Sequence, residues 1–271
     1  MNKRKLFLCS IMLLVPLILG TIIFNLFIKE DKKEISVSKG IDEYTGYNVT
    51  KENINIPVFC YHTISDTKSD INVTVKQFRK QMKLLKDEGY YTLSVKQLCN
   101  YLLYDKPVPV KSVIITFDDG YVDNYTIAYN ILEMYDLKAN FFIISNKINT
   151  NGFMTKEQLL TMYNNGHSIE GHTASHKVLT KLNRQEQVEE MFDCEIELYD
   201  IINDCPLALA YPTGAYNKDT IKAIKETDYA LGFTTKHGYI NKGSNIKKLK
   251  RFLIDNTYEI SDIKEILDKA N

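Results

Sequence analysis

With 271 residues, 44% of them hydrophobic, and 34 basic against 34 acidic side chains, the chain has room for one α/β domain with additions. The balanced charge gives no reason to expect nucleic acid or an anionic surface as partner. Five cysteines without a C-x-x-C or a regular spacing argue against a disulfide framework and read as core or surface thiols, with Cys194 and Cys205 the one pair a helix could bring together.

Residues 6–28 run without a charge and are long enough to cross a bilayer as a helix. Lys3, Arg4 and Lys5 precede them, so the positive-inside rule leaves the N-terminus in the cytoplasm and the rest outside. A cleaved signal peptide is the alternative, with Pro16 and Gly20 ending a shorter apolar region, but no small-residue cleavage pattern follows. Either way the domain is expected to work outside the cytoplasm. Residues 29–53 are polar, without an apolar period, and read as a tether. The folded domain is expected over 54–271.

INIPVFCYHTI predicts a strand ending at Tyr61 and His62. Val75, Phe78, Met82 and Leu85 predict a core-facing helix that Gly89 stops. A short strand at 91–93 precedes a helix capped by Ser94. The strand 112–117 follows, then a helix over 123–135 and an apolar strand at 139–144. Thr155-x-x-Gln158 and Asn183-x-x-Glu186 read as capping boxes of two further helices, the second reaching about residue 203. Strands at 207–211, 229–234 and 249–255, a helix capped by Asn217 and a closing helix from Ser261 complete the pattern. Strands alternating with helices imply a parallel sheet with helices outside it, and polar motifs that all follow strand ends favour a barrel.

Two motifs carry the chemistry. In SVIITFDDGYVDN a buried strand ends at Asp118 and Asp119, whose adjacent side chains leave the backbone on opposite sides, so one can bind a metal while the other faces the substrate. Gly120 permits the sharp turn. In H-T-A-S-H, His172 and His176 stand four apart and would point the same way if the loop coils into a helical turn. With Asp119 they make three protein ligands and leave an open position, the pattern of a catalytic divalent metal site. Zinc suits the set, and iron, cobalt or nickel could also be held.

TFDDG at 116–120 together with HTASH at 172–176 resembles the polysaccharide deacetylase family, also called carbohydrate esterase family four, over roughly residues 54–256. The resemblance implies a distorted (β/α) barrel that removes acetyl groups from glycans, with Asp118 as base and Asp119, His172 and His176 as metal ligands. The family's third motif carries an Arg two residues before a Pro and an aromatic after it; in LAYPTGAYN those places are taken by Ala210 and Thr213. That departure, with IPVFCYH at 56–62, is similar to the poly-N-acetylglucosamine deacetylase branch, where the early His is the general acid, here His62. By the same analogy the backbone N–H of Thr213 would hold the oxyanion.

Arg251 in the last strand is the basic residue available to steady Asp118 in place of the missing Arg. Tyr61, Tyr121, Tyr211 and Tyr216 border the motifs and could stack on sugar rings. His167 reads as structural. The expected activity is metal-dependent N-deacetylation of an acetylated glycan, poly-N-acetylglucosamine or peptidoglycan, by a membrane-tethered enzyme; the alternative is an inactive glycan-binding protein on the same scaffold.

Overall fold

The computed structural model describes residues 43–67 and 71–270. The chain divides after Thr45 into two units, and of the first only residues 43–45, part of a turn, are described. The expected membrane helix at 6–28 lies outside the described residues, among which no helix is long and apolar enough to cross a membrane. Everything below concerns the second unit.

The expected α/β alternation is present as a curled, all-parallel half-barrel. Its strands are β1 (Val58–Tyr61), β2 (Tyr91–Thr92), β3 (Ser112–Phe117), β4 (Asn140–Ile143), β5 (Ser168–Gly171), β6 (Ala208–Ala210), β7 (Leu231–Phe233) and β8 (Phe252–Leu253). They lie in the order β7-β6-β5-β4-β3-β1-β8, while β2 pairs with the start of β3. Where β2 leaves, the buried amide of Asn140 fills the gap, donating to the carbonyls of Leu93 and Ile115 and accepting from the N–H of Val95. Unpaired buried backbone is costly, so this one side chain makes the fork tolerable. The outer edges, β7 and the segment leading to β8, meet in a single parallel bridge between Phe233 and Leu249.

The two-residue period of the strands decides what faces the inside of the curl. Phe59, Tyr61, Val113, Ile115, Phe117, Phe141, Ile143 and Ile169 point outward and form one core with the helices. The alternate residues, Cys60, Thr116, Asp118, Phe142 and Arg251, therefore turn inward. Polar groups collect there because this is the face the helices do not cover.

The helices are α1 (Val75–Asp87), α2 (Val95–Tyr104), α3 (Asn130–Met134), α4 (Lys156–Asn164), α5 (Arg184–Ile202), α6 (Lys218–Ala223) and α7 (Ile260–Asp268). The capping boxes at Thr155 and Asn183 form as their sequences predict, and Ser94 caps α2. Three expectations change. The helix expected over 123–135 opens as a π-helical turn, Asn124–Tyr129, whose buried Asn124 donates to the carbonyl of His62 at 2.7 Å. The last strand is only two residues long. And the tether ends earlier than residue 53: Val49–Thr50 pairs antiparallel with Val108–Pro109, and Tyr47 packs edge-on against Tyr91. A two-residue edge strand has too little apolar content to show in a hydrophobic pattern.

All four described cysteines are free thiols, so Cys194 and Cys205 do not pair. His167 is structural, as expected: its Nδ1 accepts the N–H of Ala139, its Nε2 meets Glu133, and burial pushes its pKa down to about 4.

Helix α5 buries Gln187, Glu190, Met191, Cys194, Glu195 and Leu198 along one face. Burial, reinforced by the neighbouring Asp228 carboxylate, pushes Glu195 up to about 7, and its Oε2 has no hydrogen-bond partner. Between its ordinary value of 4.5 and about 7 the folded state therefore holds a proton that the unfolded chain has lost. Stability must fall as pH rises through that window. Glu195→Gln is expected to leave the melting temperature near pH 4.5 close to wild type and to raise it above wild type at pH 8, which thermal melts across that range measure.

Candidate active site

All the polar motifs sit at the carboxyl ends of the parallel strands. Asp118 leaves the end of β3 on the inner face and is 2% exposed. Arg251, fully buried, reaches it from the chain entering β8 and grips it with two parallel bonds, Nη1 to Oδ1 and Nη2 to Oδ2, each 2.7 Å. The guanidinium also donates through Nε to the carbonyl of Thr234 and through Nη1 to Thr116 Oγ1, and lies over the rings of Phe142 and Phe233. Burial alone would push Asp118 up, but Arg251 outweighs it and holds the carboxyl far below the usual range. Asp118 is therefore an anion at every working pH.

Asp119 takes a left-handed backbone conformation, φ 77°, which swings its side chain out of the strand alternation toward the loop after β5. That loop is not the helical turn expected of H-T-A-S-H. Thr173 and His176 both have positive φ, 64° and 60°, and this irregular path brings the two imidazoles together with ring centroids 4.8 Å apart. His172 Nδ1 lies 2.8 Å from the carbonyl of Ala210, an acceptor only, so Nδ1 carries a proton and Nε2 is the ring nitrogen turned to Asp119. Nε2 of His172 and Nε2 of His176 each stand 3.4 Å from Asp119 Oδ1.

Those distances test the fit of a metal. Bonds of about 2.1 Å at a tetrahedral angle separate neighbouring donor atoms by about 3.4 Å. With both imidazoles neutral, two carboxylates and one guanidinium leave the centre one negative charge, which a divalent cation would overcompensate by one. The residues present fit the ion.

Glu190 on α5, which the sequence gave no reason to single out, holds the ligand loop. Its carboxylate accepts from the N–H and hydroxyl of Ser175 and pairs with Lys177, and its carbonyl accepts from Ala174 N–H. Cys60 was also missed as a neighbour of Asp118. Its thiol points at Asp118 Oδ2 from 3.6 Å, and its place two residues before His62 in a strand was the signal that both share the inner face. His62 follows β1 there, with donor atoms of Cys60, His62 and Asp118 within 4.8 Å of one another. Burial lowers the pKa of His62 against the pull of Asp118 and Asp119, and its buried Nδ1 has no partner.

Thr213 lies in the tight turn Pro212–Gly214 after β6, with φ 59°. A Cβ on Gly214 would stand 2.1 Å from Thr235 Oγ1, so only glycine fits there. Two of the tyrosines that border the motifs are packed away from the inner face. Tyr211 is fully buried on the outer face, with its hydroxyl donating to the carbonyl of Lys247, and Tyr61 is buried with its hydroxyl on Gln81. Strand alternation removes both from the site. Tyr216 and Tyr121 stay at the rim, the latter stacked on Phe153.

Fold and centre define a parallel α/β protein with an inward-facing carboxylate held by arginine beside a two-histidine, one-carboxylate cluster. The chain belongs to the polysaccharide deacetylase family, whose pattern it matches over residues 105–232. It is 37% identical over 223 residues to the Bacillus subtilis protein YxkH, covering 82% of this chain and 80% of that one. It is 30% identical over 208 residues to the poly-beta-1,6-N-acetyl-D-glucosamine N-deacetylase of Staphylococcus epidermidis, covering 72% of each. The Streptococcus pyogenes deacetylase PplD, solved in complex with acetate, superposes with a TM-score of 0.76 at 29% identity, over 80% of this chain and 99% of that one.

Arg251→Ala leaves a buried carboxylate unpaired and is expected to cost about 3–5 kcal/mol in urea unfolding. Asp118→Asn in the same chain should restore part of that loss. Titration calorimetry with zinc or cobalt should show one ion per chain, with affinity at least about 100-fold lower in His176→Ala, since even outer partners of a ligand contribute 10- to 100-fold.

Proposed function

We propose that the protein is a metal-dependent N-deacetylase acting on N-acetylglucosamine units of an exported or cell-wall glycan. The observation that carries this reading is the juxtaposition of a permanently ionised Asp118 with three converging donor atoms at the mouth of one half-barrel. Asp119, His172 and His176 would hold a divalent ion, zinc by donor type. When bound, such an ion acidifies water and polarises the acetyl carbonyl.

The chain's own residues do the rest. Asp118, kept anionic by Arg251, accepts the proton of the attacking water through a carboxylate oxygen. The Thr213 N–H, at the end of β6, donates to the oxygen on which charge develops. Its contribution is a backbone one, so the missing aromatic side chain costs it nothing. The C–N bond then breaks only if the nitrogen leaves as an amine, and His62 supplies that proton. Its buried Nδ1 has no hydrogen-bond partner, so that ring nitrogen is uncommitted.

Residues 6–28, uncharged and preceded by Lys3, Arg4 and Lys5, would tether the domain outside the cytoplasm. An inactive glycan-binding descendant is the weaker reading. Binding alone needs neither a desolvated charge pair nor a ligand set, and both are complete.

Acetate release from N-acetylglucosamine oligomers and from peptidoglycan, with and without a chelator, tests the proposal. Metal-dependent release is expected, and none from any acetylated glycan would refute it. Asp118→Asn should lower kcat by at least about 100-fold on every substrate. His62→Ala should do so on the amide but spare an aryl acetate, whose phenolate leaves without a proton. Equal losses on both substrates would remove His62 from the acid role.

A further inference from the structure

Three lysines stand at the carboxyl end of the half-barrel, each laid over an aromatic ring. Tyr216, just past the turn that carries Thr213, has Lys236 Nζ 5.2 Å and Lys248 Nζ 5.3 Å from its ring centroid. Lys236 also donates to the Tyr216 hydroxyl at 3.1 Å. Lys236 follows the end of β7, and Lys248 precedes Leu249, which bridges Phe233. On the β4 side, Lys147 closes the turn Ser145–Lys147 and lies 5.5 Å from the ring centroid of Phe153, itself stacked on Tyr121 beside the metal ligand Asp119. Backbone bonds from Ser145 and Asn146 to Thr173 and Ala174 tie that turn to the histidine loop.

Many lysines of the domain have no carboxylate within ion-pair range; what sets Lys236 and Lys248 apart is that both lie over one ring. Lys83, Lys86, Lys111, Lys138, Lys156 and Lys222 are all ion-paired, and Lys177, next to His176, is taken by Glu190. Among the described residues, Lys147, Lys236 and Lys248 have no such partner, and all are exposed. Two ammonium groups gathered on one ring repel each other. The ring's negative face offsets this only in part. A second anion source is what the pair lacks.

We propose that Lys236 and Lys248, gathered on Tyr216, with Lys147 across the mouth, bind an anionic group of the glycan next to the acetamido sugar being hydrolysed. The substrate is then a glycan bearing carboxylate or phosphate groups rather than a neutral homopolymer. This rests on the deacetylase reading and narrows its substrate class. The long flexible stems let a lysine serve either anion as a point charge, whereas a planar bidentate site would need arginine.

The test is kinetic and compares neutral N-acetylglucosamine oligomers with two anionic probes, peptidoglycan strands carrying carboxylates and a phosphodiester-bearing N-acetylglucosamine glycan. At low salt the ratio of neutral to anionic KM is expected to exceed about 10, with the probe of lower KM naming the anion. In Lys236→Gln/Lys248→Gln the ratio should fall toward one, and 0.5 M salt should erode it in the wild type. Lys83→Gln/Lys156→Gln, remote and equal in charge change, should keep it. A ratio near one in the wild type, or equal losses in both double variants, overturns the inference. Calorimetric binding of the same anionic oligosaccharides separates it from the reading beneath it. Binding that the lysine variant loses, without acetate release, would sink the deacetylase and leave the anion site; acetate release without charge preference would do the reverse.

Discussion

The buried pair of Asp118 and Arg251 is the interaction on which the rest depends. Arg251 touches β3 through Thr116 and Asp118, the end of β7 through the carbonyl of Thr234, and the rings of Phe142 and Phe233. Backbone bonds join the outer edges of the curled sheet around the bridge of Phe233 and Leu249, among them Leu249 N–H to the carbonyl of Gly232 and Thr234 N–H to the carbonyl of Leu249. The guanidinium adds a side-chain brace to that seam. Burying two charges is expensive, and a well-packed apolar pair could be as stable. What the ion pair adds is a single allowed geometry, and a carboxyl held far below its ordinary pKa.

The ligand cluster uses the opposite device. Asp119, Thr173 and His176 sit in a backbone region that side chains avoid, at about 1–3 kcal/mol each. Such strain persists only where surroundings over-determine it. Glu190 supplies much of that constraint, since one carboxylate satisfies the Ser175 N–H and hydroxyl while its own carbonyl holds Ala174. The carbonyl of Ala210 fixes the His172 tautomer from the neighbouring strand. The cluster is preorganised by α5 and β6 together, so the long helix is part of the site although none of its side chains need touch a substrate.

Local signals wrote most of this fold into the chain. Capping boxes at Thr155 and Asn183 and the apolar run of β3 depend on neighbours a few residues away, and each formed where its pattern lay. The motifs Asp118-Asp119 and His172 to His176 were legible for the same reason. What could not be read was decided by non-local geometry. Tyr211 borders a motif in sequence but faces the helices, because alternation along β6 turns it away from Ala210. The path of H-T-A-S-H depends on two left-handed residues that no propensity announces, and Glu190 matters only because α5 packs across the loop. Cys60 was within reach, since the two-residue period of β1 puts it on the same face as His62.

Ala210 leaves the arginine that grips Asp118 to come from another strand. It lies on the inner face of β6, where its methyl group reaches no further than the wall, while its carbonyl is committed to His172. A guanidinium grown from that position would approach Asp118 across the curl from β6. Arg251 arrives instead from the strand that flanks β1, two places from β3, through space bounded by Phe142 and Phe233. The charge count at Asp118 is the same by either route. The mechanical consequence is not, because the brace now runs from β3 to the free edge of the sheet and to the end of β7. Lys236 and the approach to Lys248 lie on that same stretch, with Arg251 N–H bonded to the carbonyl of Lys236. Arg251 therefore joins Asp118, the sheet edge and the stretch that carries Lys236 into one hydrogen-bonded unit.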